Sequence, residues 1–229
     1  MCGRYAASRS PDDLIEEFEI ERLDVRERLA PDFNVAPTKD VYAVLSRPPR
    51  EDRTAPAQRR LTVVRWGLVP SWASDLSIGS RLINARMETV TEKPAFRKAF
   101  ASRRCILPAD GYFEWYGETR GHRQPFFIRP RDGHVLAMAG IYEIWRNPAL
   151  DRDDPAAFVW SCAVLTTTAE DAVGHIHDRM PLMLEPDRYA SWLEPSDASP
   201  EALLGLLVPA TPGRLEAFPV SRRVSDVRN

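Results

Sequence analysis

Cys105-Ile106-Leu107-Pro108-Ala109-Asp110-Gly111-Tyr112-Phe113-Glu114-Trp115-Tyr116 reads as two strands folded back on one turn. Cys105 to Leu107 and Tyr112 to Tyr116 are β-type runs, and Ala109-Asp110-Gly111 between them is turn chemistry. The pattern continues downstream with Pro125 to Ile128, the turn Arg131-Asp132-Gly133, Val135 to Trp145, and Phe158 to Thr167. Upstream, Val41 to Leu45 and Leu61 to Trp66 are strand candidates, and Leu215 to Val220 supplies a last short one. Helical segments are few. Ser10-Pro11-Asp12-Asp13 has a capping-box start with Pro at the first helical position, followed by Leu14, Ile15 and Phe18 on one face. Pro94 to Phe100, Pro186 to Leu193 and Pro200 to Leu207 complete the set. Dominant strands, short helices and no internal repeat predict a single α+β domain over residues 1–229, with a curved, mostly antiparallel sheet or open barrel flanked by short helices. A Gly-rich phosphate loop and a dinucleotide fingerprint are both missing.

Four stretches resist regular structure. Pro31 to Thr38, with two prolines, is expected to be a shaped loop. Arg47 to Arg60 holds three prolines and many charges with almost nothing apolar, which predicts a mobile surface loop over 47–60. Trp66-Gly67-Leu68-Val69-Pro70-Ser71-Trp72 is a stiff aromatic segment, either a core plug or an exposed stacking platform. The polar tail 221–229 is expected to fray.

The 229 residues are 44% hydrophobic and 28% charged, ordinary values for a globular protein. No apolar run approaches the roughly 20 residues of a membrane span and no signal-peptide pattern opens the chain, so a cytoplasmic location without membrane contact is expected. Cys2, Cys105 and Cys162 are too few and too scattered for a disulfide framework. A net charge of −2 gives no global pull toward nucleic acid, so any polyanion site has to be a local patch. Only Lys39, Lys93 and Lys98 are lysines among the 31 basic residues. The arginine excess supplies planar forks suited to phosphate, although high genomic GC content yields the same bias.

The first residues, Met1-Cys2-Gly3-Arg4, carry a distinct chemistry. Loss of Met1 would leave Cys2 with an amine and a thiol on adjacent carbons. Such a 1,2-aminothiol condenses with an aldehyde to an imine, and the thiol then closes a thiazolidine ring. With an amine titrating at about 7.7–8.0 and a thiol at about 8.5, useful fractions of both reactive forms are expected near neutrality. An N-terminal amine can also activate its own side chain for acyl transfer.

Three other places hold polar residues that the local pattern does not require. Asn84 and Arg86 alternate with apolar residues in Leu82-Ile83-Asn84-Ala85-Arg86, where Asn84 equally reads as a loop cap. Glu114 shares a strand face with Tyr112 and Tyr116, and a carboxylate walled by aromatics has its pKa raised toward neutrality. Gly174-His175-Ile176-His177-Asp178-Arg179-Met180-Pro181 puts two of the four histidines beside charged residues, a setting for proton transfer. His-x-His without a third clustered ligand does not predict a metal. Arg4, beside the reactive amine, would hold an anionic substrate and lower the amine's pKa.

Six stretches in order carry a resemblance: Met1 to Tyr5, Asn34 to Thr38, Trp66 to Trp72, Asn84 to Thr89, Cys105 to Trp115, and His177 to Pro181. Together they closely resemble the SRAP family, the SOS response-associated peptidase-like proteins that shield abasic sites in single-stranded DNA. The resemblance implies a catalytic group of four. Cys2 is freed by autocatalytic loss of Met1 and forms a thiazolidine with the ring-opened abasic aldehyde. Asn84 orients the reacting group, Glu114 acts as general acid and base, and His177 gives a proton to the sugar ring oxygen. It also implies DNA contacts at Arg4, Asn34, Pro37, Trp66, Gly67, Leu68, Arg86 and Arg179, with Trp66 and its loop as the wedge on which flanking bases stack. The expected partner is abasic single-stranded DNA bound by a monomer, without metal or cofactor, in a cytoplasm where the protein joins the nucleoid on damage. The rival reading is an N-terminal nucleophile amidohydrolase of the glutamine amidotransferase type, in which Cys2 attacks an amide carbon.

Overall fold

A computed structural model describes residues 2–227 except 50, 118, 120, 121, 170–172, 196, 197 and 208–212. Met1 lies outside the described residues. The strands in chain order are β1 (Tyr5–Ala7), β2 (Arg22–Asp24), β3 (Asp32–Val35), β4 (Asp40–Arg47), β5 (Gln58–Trp66), β6 (Asn84–Arg86) and β7 (Arg104–Ala109). They continue as β8 (Gly111–Tyr116), β9 (Gln124–Pro130), β10 (Leu136–Arg146), β11 (Phe158–Thr168), β12 (Arg179–Pro181) and β13 (Leu215–Pro219). Four short α-helices accompany them among the described residues: α1 (Pro11–Glu17), α2 (Arg97–Ser102), α3 (Tyr189–Leu193) and α4 (Pro200–Gly205).

One sheet has the order β13-β9-β8-β1-β3, with every neighbour antiparallel. The other runs β12-β11-β10-β7-β4-β5-β2. A parallel pair, Ser161↔Arg65 and Cys162↔Trp66, joins β11 back to β5 and closes β11, β10, β7, β4 and β5 into a five-stranded barrel. β6 adds to β11 in parallel, with Asn84 opposite Val164.

Alternation along the barrel strands divides the core in two. Val44, Leu61, Ile106, Ala139 and Leu165 pack with the helix residues Leu14, Phe18, Phe100 and Trp192. Their sequence neighbours Ala43, Leu45, Cys105, Leu107, Met138 and Val164 pack with Cys2, Tyr5, Tyr112 and Ile128 of the five-stranded sheet. The buried Arg104 ties the helices to the barrel: its guanidinium donates to the carbonyls of Phe100, Ala101, Trp192 and Glu194, which close the C-terminal turns of α2 and α3.

The capping box at Ser10 forms as read, with the Ser10 hydroxyl accepting from Asp13 N and the Asp13 carboxylate accepting from Ser10 N. Other expectations need correction. The segment 31–38 contains β3, because the edge of β1 gives its backbone a pairing partner that local sequence does not reveal. The excursion 47–60 shrinks from both ends: Arg47 pairs with Gln58, and Arg59 and Arg60 continue β5. Residues 222–225 form a 3₁₀ turn whose carbonyls accept from Arg4 and Asn34, in place of an expected frayed end.

Gly67 and Gly79 meet back to back beneath the aromatic segment. A Cβ on Gly67 would lie 2.6 Å from the Gly79 carbonyl oxygen, and one on Gly79 would lie 2.5 Å from that of Gly67. Gly67 also sits at φ +127°, a region closed to other residues. Gly67→Ala should therefore cost at least ~2 kcal/mol in urea unfolding. Gly205→Ala, in α4 with open space around it, should be neutral or slightly stabilising. Equal midpoints for the two variants would contradict the contact.

Candidate active site

The site is assembled around a strand of three residues. β1 is an interior strand, paired with β8 through Tyr5↔Tyr112 and Ala6↔Gly111 and with β3 through Tyr5↔Val35. Phe113 N donates to Arg4 O at 2.9 Å, so the antiparallel register carries Gly3 and Cys2 alongside Glu114 and Trp115. From the other side, β11 holds β6, and the Asn84 amide Nδ2 donates to the Cys2 carbonyl at 2.8 Å. Asn84 Oδ1 is buried and has no hydrogen-bond donor among the described residues. An acceptor left open at that depth is costly unless a donor fills it, and a nitrogen on Cys2 or on a substrate would do so.

Burial governs the electrostatics. Cys2 is fully buried, and this, followed by the nearby Glu114 charge, pushes its thiol far above the ordinary range. With Met1 attached, burial therefore favours the protonated thiol, and a base has to take its proton. Glu114 is 3% exposed and its carboxyl is raised to about 7, chiefly by burial, while the charge and hydrogen bonding of the chain's amino terminus pull it partway back. His177 is lowered by burial first and by the same amino-terminal charge second. One positive charge thus acts on the thiol, the carboxyl and the imidazole together. Asp178 acts on both Glu114 and His177 in the opposite sense, raising each.

The His177 tautomer follows from its contacts. Its Nδ1 lies 3.0 Å from the backbone N–H of Arg179, which donates to it, and 2.9 Å from the exposed carboxylate of Asp178. Both cannot be hydrogen bonds to a neutral ring. The fixed backbone donor and the lowered pKa favour a neutral imidazole that accepts at Nδ1 and carries its hydrogen on Nε2.

The expected DNA-contacting residues divide. Arg86 is exposed and makes no ion pair among the described residues. Arg4 spends Nη1 on Asn34 Oδ1 (2.9 Å) and Val224 O (3.0 Å), and Nη2 on Ser225 O (3.4 Å). Asn34 is buried and donates to Val224 O and Asp226 O. Arg179 grips Glu88 through two parallel bonds of 2.6 and 3.0 Å and also donates to Thr166 O. Pro37 opens a turn in which Thr38 takes φ +75°, a strained value for a β-branched residue.

Trp66 needs correction as a stacking surface. It is fully buried; its indole N–H donates to Ile83 O at 3.0 Å, and its ring meets Tyr5 edge-on at 5.0 Å. It therefore braces β1 and the residue before Asn84 rather than facing a base. Leu68 is equally buried, and Gly67 N donates to Cys162 O. The exposed ring of this segment is Trp72, at 61%. Sequence reasoning missed Glu88 and the 222–226 turn, whose partners lie 91 and about 220 residues away, beyond any local signal.

Comparison with known proteins agrees with this architecture. A family model described as SOS response associated peptidase (SRAP) matches residues 1–227. The chain is 37% identical to the abasic site processing protein YoaM of Bacillus subtilis, covering 100% of this chain and 95% of that protein. It is 34% identical to the abasic site processing protein YedK of Escherichia coli, covering 100% and 96%. A solved protein from Bacteroides thetaiotaomicron superimposes with a TM-score of 0.79 at 25% identity, covering 96% of this chain and 93% of that one. One from Bordetella bronchiseptica gives 0.76 at 25% identity, covering 96% and 100%. Motifs, fold and sequence identity together place this chain in the SRAP family.

Proposed function

We propose that the protein processes abasic sites in single-stranded DNA by forming a thiazolidine cross-link through Cys2 after hydrolysis of the Met1–Cys2 bond. The observation that carries this reading is the convergence at the amino terminus: Asn84 is bonded to the Cys2 carbonyl, and the terminal charge acts on Glu114 and His177 alike. The relatives' description as abasic site processing proteins supports the substrate class.

An abasic sugar is mostly a closed hemiacetal, so its ring has to open before an amine can add. His177, with hydrogen on Nε2, gives a proton to the ring oxygen, while Glu114 takes one from the hydroxyl on the anomeric carbon. The Cys2 amine adds to the freed aldehyde, and Glu114 returns its proton to the resulting hydroxyl as water leaves, giving an iminium ion. Glu114 then takes the thiol proton as sulfur adds to the iminium carbon, and that proton passes through solvent to His177, which restores both groups. The sum is aldehyde plus aminothiol giving thiazolidine plus one water. A carboxyl poised at about 7 suits both the acid and the base step at neutral pH. Arg86 offers an exposed cation for backbone phosphate, which gives salt-sensitive binding without sequence preference.

Intact mass spectrometry after incubation with an abasic oligonucleotide should show a chain lacking Met1 that is heavier by the DNA minus one water. An unshifted mass, accompanied by ammonia release from glutamine, would overturn the reading in favour of an amidohydrolase. Cys2→Ala should abolish the adduct, and an adduct that survives would assign the nucleophile elsewhere. Below about pH 7 the adduct rate should fall roughly tenfold per pH unit as Glu114 loses its base form. Glu114→Gln should be ~10²–10⁴-fold slower and lack that inflection. A shared inflection would remove Glu114 from the step.

The same carboxyl sets a stability profile. Its folded value of about 7 lies above an unfolded value of about 4.3, so its stabilising contribution is complete below about pH 4 and is lost as pH rises through about 7. Relative to wild type, Glu114→Gln should gain roughly 3 kcal/mol at pH 8 that it does not have at pH 4. Urea denaturation at the two pH values checks this, and an equal difference at both would contradict it.

A further inference from the structure

Beyond Glu114, strand β8 ends in an exposed aromatic. Tyr116 lies two residues on, hence on the same face and about 7 Å farther along the strand, with 52% of its surface exposed. Its ring is set edge-on against Phe126 of β9 at 6.5 Å and against His175 at 6.3 Å. Phe126 pairs directly with Glu114 in register, and His175 stands two residues before His177. The aromatic group is therefore built onto the rim of the same pocket. A cation lies beside it. A Cβ on Gly117 would lie 3.8 Å from the Cα of Arg123, which places Arg123 across the hairpin from the residue after Tyr116. Arg123 is exposed, makes no ion pair among the described residues, and its charge is felt at His177.

A ring held upright by two neighbours, next to an exposed guanidinium that makes no ion pair among the described residues, matches the two halves of a nucleotide: a π-face and a phosphate. Trp66 and Leu68, the residues expected to meet flanking bases, are buried and leave that task open. Resting on the proposed function, we propose that Tyr116, braced by His175, stacks the base adjacent to the abasic sugar while Arg123 holds the intervening phosphate. This rim selects an abasic site within a strand over a free sugar aldehyde. Stacking is tolerant of base identity, so the subsite adds affinity without sequence preference.

The test compares wild type, Tyr116→Phe, Tyr116→Ala and Arg123→Gln on two substrates, an abasic oligonucleotide and 2-deoxyribose 5-phosphate. In Tyr116→Ala the preference for the oligonucleotide, measured as the ratio of half-saturating concentrations, should fall about tenfold, and Tyr116→Phe should restore most of it. Arg123→Gln should reduce the slope of log affinity against log salt by about one. With 2-aminopurine placed on one side of the lesion or the other, fluorescence should change on binding for one side only, and that change should vanish in Tyr116→Ala. If wild type cross-links the oligonucleotide but Tyr116→Ala keeps both the preference and the fluorescence change, the subsite is refuted and the proposed function stands. If wild type gives no adduct, the failure lies with the proposed function itself, and the subsite falls with it.

Discussion

A three-residue strand paired along both edges is the constraint on which the site depends. β1 lies between β8 and β3, so its register is fixed twice, and a slip of one residue would turn Tyr5 out of the core. That double pairing lays Cys2 beside Glu114, and the amide of Asn84 then locks the Cys2 carbonyl from a different sheet. Trp66 joins the two, with its ring against Tyr5 and its N–H on Ile83. The turn at 222–225 clamps Arg4 and Asn34 from outside. Cys2, Arg4 and Tyr5 are thus each tied to an element far away in sequence.

Rigidity at this point has an electrostatic consequence. The pocket is buried enough to keep the Cys2 thiol protonated and to hold Glu114 near 7, so neither group is reactive merely by being present. Burial and the charge of the amino terminus move the proton affinities of Glu114 and His177 in opposite directions, the carboxyl up and the imidazole down, which brings the two toward one another. The arrangement destabilises the fold at high pH, and the surrounding core, from Tyr5 to Ile128, offsets that cost.

What was legible in the sequence followed from local rules. The strand pair around Gly111, the long strands near 136–146 and 158–168, and the capping box at Ser10 are signals a few residues wide. The raised carboxyl of Glu114 was legible because alternation alone puts Tyr112 and Tyr116 on its face. Long-range pairing was not legible. Nothing near Asp32 marks it as the start of a strand until β1 lies beside it, and nothing near Trp66 shows that the barrel closes there through Cys162. The hidden partners of the arginines belong to the same class. Arg4, Arg86 and Arg179 look alike in sequence, yet Arg4 is a clasp on the C-terminal turn and Arg179 is gripped by Glu88, while Arg86 stays exposed.

The central claim is that folding places Glu114 in a buried pocket with the amino terminus and thereby tunes it to neutrality. Titration of the Glu114 side-chain carboxyl by ¹³C NMR in the folded protein tests this directly. The account predicts a midpoint of about 7. An ordinary carboxylate midpoint of about 4.3 would mean that the group is solvated and that the pocket does not do the chemistry assigned to it.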